Sequence, residues 1–234
     1  MNHVKKKLFS IFLLFYFLIG SYSSLNTGIS FDERYEELNW KFNVNLIKDI
    51  SKDISKEKKF NRKKFDAEVK NFVGYGIGFQ LISQPIQHFI KKLPILKNNL
   101  DSFGAKLVAK HFVVFLFFFI SGIFFYLILK KLINNENFCI ISSIVYLTYP
   151  YLFGQAMFSP KDVPFMSVWL MCTYLSFILF EILIKKNKIK LIHLLFISFT
   201  TAYLLSVRIA GILIFIQYLI LLILFLSIYE NNFI

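Results

Sequence analysis

The sequence predicts an all-α integral membrane protein of about six transmembrane helices, with a long outer first loop carrying short and amphipathic helices. Three observations carry that reading. Of the 234 residues 56% are hydrophobic, 30 of them Phe, and the mean hydropathy is +0.59; a soluble domain needs more polar cover than this. Runs of roughly 18 or more apolar residues recur, each long enough to cross ~30 Å of hydrocarbon as a helix. The cations behind the formal net charge of +13 flank those runs instead of forming a soluble patch, so nucleic acid is not an expected partner. Cys139 and Cys172 fall inside apolar runs as packing residues, and no Cys or His spacing suits a metal.

Residues 1–25 set three lysines before an apolar stretch that ends in small residues, Gly20 to Ser24. A signal peptide has the same grammar, but this run exceeds the usual apolar length and further spans follow. It reads as a retained first transmembrane helix. Residues 26–110 are the expected extracytoplasmic loop. In NTGISFDERYEELNWKF, Asp32 can cap a short helix from Glu33, with acids in the first turn where the helix dipole favours them. SKDISKEKKFNRKKF is a solvated basic run, of a kind drawn to anionic membrane lipids. GYGIGFQLISQPIQHFIKKLPIL puts Leu81, Ile82, Ile86, Phe89, Ile90 and Leu93 on one face of an amphipathic interfacial helix. Its glycines, Gly74, Gly76 and Gly78, lack the spacing and preceding strand of a phosphate loop.

Residues 111–234 are expected to form a five-helix bundle with spans at about 111–132, 137–153, 163–184, 190–207 and 210–229. Lysines in the short connections set the orientation. With a cytoplasmic N-terminus, that side holds Lys5, Lys6, Lys7, Lys130, Lys131, Lys185, Lys186, Lys188 and Lys190, while the short outer turns hold only Lys161 and Arg208. The expected location is the plasma or inner membrane.

That topology brings Asp32 and Glu33, Lys161 and Asp162, and Arg208 to one outer face. The stretch GQAMFSPKDVPFMSVWL, residues 154–170, matters most, because an ionised side chain in hydrocarbon costs at least ~2.5–3.5 kcal/mol. Its Lys161 and Asp162 must meet a membrane face or a polar cavity. A plainer account is that Asp32 caps a helix, Pro160 starts one, and Lys161 and Arg208 anchor at the interface.

FDERYEEL after a first membrane helix resembles the acidic motif in the first outer loop of the C-type glycosyltransferases, which use sugars linked to polyprenyl or dolichyl phosphate. IISSIVYLTYPYLFGQAMFSPKDVPFMSVWLMCTYLSF resembles more specifically the bacterial members related to protein O-mannosyltransferases and aminoarabinose transferases, which often carry an N-P-K-D-x-P-F-like string there. SVRIAGIL is similar to the segment opening their sixth helix. The resemblance implies that Asp32 is the catalytic base with Glu33 beside it, and that Asp162 is a second acid for substrate or metal. It also implies that Arg208 meets the lipid phosphate and that Lys161 positions phosphate or acceptor. Ser159 departs from the family's usual Asn. Family members have several more membrane helices, so the resemblance is to the N-terminal half, with a second chain as an expected source of the remainder.

The chemistry fits these residue types. Sugar transfer from a phosphate leaving group passes through an oxocarbenium-like state, and needs one carboxylate base and cations for the leaving charge. The expected activity is inverting transfer of a hexosyl or pentosyl group from a lipid-linked sugar donor. That chemistry allows a divalent metal, though no ligand spacing points to one. Two other classes stay open: a lipid or solute transporter, against which the nearly charge-free span centres argue, and a non-catalytic membrane subunit.

Overall fold

A computed structural model describes residues 2–55, 76–97, 100–185 and 188–231, and among these every regular element is a helix. In order they are α1 (Asn2–Leu25), α2 (Phe31–Ser55), α3 (Gly78–Ile90), the single turn α4 (Pro94–Lys97), α5 (Ser102–Leu132), α6 (Glu136–Thr148), α7 (Pro150–Gln155), α8 (Asp162–Ile184), α9 (Leu191–Val207), a 3-10 turn (Ile209–Leu213) and α10 (Ile214–Asn231). Three stretches, Val4–Leu25, Ser102–Leu132 and Asp162–Ile184, are long and apolar enough to cross a membrane. Glu136–Thr148, Leu191–Val207 and Ile209–Leu224 are apolar but shorter. Gly74, Lys186 and most of the basic run (Lys56 to Lys64) lie outside the described residues.

Helix α5 is the axis. Asp101 caps it by accepting from the Gly104 N–H at 2.8 Å, and Lys130 and Lys131 close its last turn, where cations suit the helix dipole. The cap sets its start at Ser102, so residues 102–110, assigned to the loop from sequence, are the first turns of the helix expected from 111. Around it α1, α3, α6 and α8 pack a core of Tyr16, Phe79, Val113, Val114, Phe115, Phe118, Leu147 and Val163. Exposed apolar side chains crowd the outside of α1, α9 and α10, among them Leu14, Phe15, Leu195, Phe199, Ile216 and Ile220. That is the surface a helix bundle presents to hydrocarbon.

The span expected over 137–153 is broken. Proline disfavours a helical conformation in the residue before it, and Tyr149, at φ −60° and ψ 117°, is extended. α6 therefore stops at Thr148, and Pro150 occupies the first turn of α7, where its missing N–H costs nothing.

Helix α3 forms where the apolar periodicity predicts. Of the apolar face, Leu81, Ile82, Phe89 and Leu93 are exposed, as an interfacial helix presents them to lipid, while Ile90 turns inward with Phe79, Gln80, Ser83 and Gln87. Gln87 Nε2 donates to Ser83 Oγ at 2.7 Å and to Gln80 Oε1 at 3.4 Å. Its glycines serve close approach: a Cβ at Gly76 would lie 2.2 Å from the Ser206 carbonyl oxygen, and one at Gly78 2.8 Å from the Ser206 carbonyl carbon. Only bare backbone lets the start of α3 touch the end of α9.

Candidate functional site

Helix α2 begins with a capping box. The Ser30 N–H donates to Glu33 Oε1 at 2.8 Å, the return half of an S-x-x-E pair. The helix thus starts at Phe31 under Ser30, not at Glu33 under Asp32, and runs to Ser55. Glu33, Glu36 and Glu37, three and four residues apart, share one face, and all three are buried. Carboxylates removed from water cost several kcal/mol each unless paired, and each of these has a partner. Glu33 Oε2 lies 2.7 Å from His111 Nε2, Glu37 Oε1 accepts from Lys106 Nζ at 2.5 Å, and Glu36 pairs with Lys161. Lys41 adds a contact over the Phe103 ring at 5.4 Å. α2 is therefore tied to the bundle by long charged side chains, with its apolar Tyr35, Leu38 and Ile47 left exposed.

The turn between α7 and α8 dips Ala156 and Met157 into the core and returns at Lys161, the residue before α8. Asp162, the first residue of α8, pairs with Arg208 Nη1. Arg208 ends α9 in extended conformation, with its guanidinium 5.7 Å from the centre of the Phe165 ring. Glu36, Lys161, Asp162 and Arg208 thus form one string of charge across α2, α8 and α9. Glu33, Lys161, Asp162 and Arg208 stand at one rim of the bundle. Asp32 is the second residue of α2, and its side chain lies outside the described residues.

Sequence reasoning missed Glu36, Glu37, Lys106, Lys110 and His111. Lys110 and His111 are fully buried. Lys110 Nζ lies 3.8 Å from Glu37 Oε2 and makes no hydrogen bond among the described residues. A signal was available: AKLVAKH puts Lys106 and Lys110 four residues apart on one helical face, matching Glu33, Glu36 and Glu37 in charge and spacing. Among the described residues no three His, Cys, Asp or Glu side chains converge to hold a metal. Beside the cluster, where the α1–α2 link meets α5, a cavity of about 310 Å³ is walled by Leu25, Ile29, Leu96, Leu100 and Val108.

The other rim is also charged. Lys5 Nζ donates to Asn137 Oδ1 at 2.8 Å, Lys6 lies 3.4 Å from Glu136, and Glu181 pairs with Lys131 and Lys185.

No model of a known protein family, no curated protein and no solved structure matches this chain.

Proposed function

We propose that this is a glycosyltransferase of six membrane spans, N-terminus cytoplasmic, that moves a sugar from a polyprenyl-phosphate donor to an acceptor hydroxyl with inversion at the outer face of the plasma or inner membrane. The observation that supports the reading is the convergence of the acidic start of α2, the Lys161–Asp162 turn and Arg208 at one rim. In the proposed step Asp32 takes the acceptor's proton as its oxygen bonds to the anomeric carbon. The bond from that carbon to the phosphate oxygen breaks, and the lipid phosphate leaves with both electrons. Arg208 has five N–H donors; its bond to Asp162 orients the guanidinium, and the remaining donors suit the phosphate oxygens. Lys161, anchored on Glu36, adds positive charge beside it. No step is assigned to a metal.

The test is transfer from a polyprenyl-phosphate hexose by purified protein in proteoliposomes. Asp32→Asn should lower the rate by about 10²–10⁴-fold, the range for loss of a general base, with unchanged insertion and melting. Transfer at the wild-type rate by that variant would overturn the assignment.

A second reading has its own observation. α10 exposes Phe215, Ile216, Leu219, Ile220 and Ile223, a surface that suits another chain's helices as well as lipid. A non-catalytic subunit would co-purify with such a chain and transfer no sugar alone.

A further inference from the structure

Helices α1 and α6 run side by side in the same direction and are bridged at two levels. At the N-terminal level Lys5 donates to Asn137 and Lys6 faces Glu136. Further along, Tyr16 OH donates to the Leu147 carbonyl at 2.5 Å. Between the bridges the helices leave a groove of about 400 Å³, walled by Leu8, Phe9, Phe12, Ile140, Ile141 and Ile144, with Lys5 at its mouth. From Lys5 to Phe12 the groove is about 10 Å long at 1.5 Å per residue, which keeps it within one leaflet of a ~30 Å hydrocarbon core. Its charge is at one end. There Lys6 faces Glu136 and Lys5 bonds Asn137, and at the adjoining rim Lys131 and Lys185 pair with Glu181.

We propose that this groove binds one anionic glycerophospholipid, its phosphate at Lys5 and Lys6 and one acyl chain lying between α1 and α6. Position favours a lipid of that leaflet, because the apolar walls end at Phe12 and Ile144 and the Tyr16 bridge joins the helices beyond them. Charge favours an anionic headgroup: Lys5 carries three donors and Asn137 takes one. The groove lies at the rim opposite the acidic cluster, so the proposal stands apart from the sugar-transfer reading.

The test uses the full chain in nanodiscs of mixed phosphatidylglycerol and phosphatidylcholine, with retained lipid counted by native mass spectrometry. One phosphatidylglycerol should be retained in preference to phosphatidylcholine. Lys5→Gln should weaken its retention about fivefold, the worth of one lysine near an anionic surface. Leu8→Trp and Ile141→Trp fill the groove from opposite walls at positions 60% and 61% exposed; both should lose the lipid without a change in melting. Lys131→Gln, at the same rim but outside the groove, should change nothing. Equal retention of both lipids, retention unaffected by both tryptophans, or an equal loss in Lys131→Gln would each overturn the proposal. If Lys5→Gln fails to accumulate, the two tryptophan variants decide.

Discussion

Glu37 is the side chain on which the hold of α2 depends most. It is fully buried between Lys106 and Lys110, so making it neutral leaves two like charges near each other, one of them without water. Removing one member of a buried pair costs about 3–5 kcal/mol, whereas replacing both members with apolar groups is often neutral. Glu37→Gln should therefore lower the melting temperature in detergent sharply, and Glu37→Leu with Lys110→Met should recover most of the loss. A Glu37→Gln protein that melts with the wild type would show that α2 is held some other way. The DE pair drew attention to Asp32 and Glu33 because two acids after a membrane span stand out in the chain. Glu36 and Glu37 do not stand out in the same way. Glu37 is buried against Lys106 and Lys110, some seventy residues away, and Glu36 against Lys161; the matching spacing of AKLVAKH is legible, but it does not say that the two helices meet.

At the scale of elements, period and breakers were the legible features. The apolar runs give α1, α5, α8 and α9, and Pro150 explains the stop after α6, a signal that counting apolar residues passes over. What the pattern does not carry is that the polar face of α3, with Gln80, Ser83 and Gln87, is buried in the protein. In water the apolar face of α3 would go inward; against hydrocarbon that preference is gone, and its amides find partners inside. Gly78 fixes the pose. A Cβ there would lie 2.8 Å from one backbone atom of Ser206 and 2.9 Å from the Val207 nitrogen, and backbone cannot rotate aside as a side chain can. Gly78→Val should cost about 1–3 kcal/mol by overpacking, read as a lower melting temperature. Gly28→Ala, where nothing lies within 4 Å of the added atom, should melt like the wild type. Equal melting of the two variants would mean that α3 does not rest against the end of α9.

For the molecule as a whole, the two charged rims fix where the membrane must lie. Asp162 and Glu181 stand about 29 Å apart along α8 at 1.5 Å per residue, and Lys110 and Lys130 about 30 Å apart along α5, the thickness of a hydrocarbon core. Between the rims, Trp169 Nε1 donates to Gln217 Oε1 at 2.7 Å, and Gln217 Nε2 to Thr173 Oγ1 at 2.9 Å. Since a charge at mid-depth is costly, the chain has one favourable depth and two orientations to choose from. Lys5, Lys6, Lys7, Lys130, Lys131 and Lys185 belong to one rim, and the proposed orientation puts that rim in the cytoplasm, as the bias of lysine toward that side favours. Cys139 and Cys172 are fully buried, so a single exposed cysteine reports its own side to a membrane-impermeant maleimide. Gly28→Cys should label from outside intact cells, and Asn134→Cys, between α5 and α6, only after the membrane is opened. The reverse pattern would place the acidic cluster in the cytoplasm, away from any donor presented at the outer face, and the sugar-transfer proposal would fall with it.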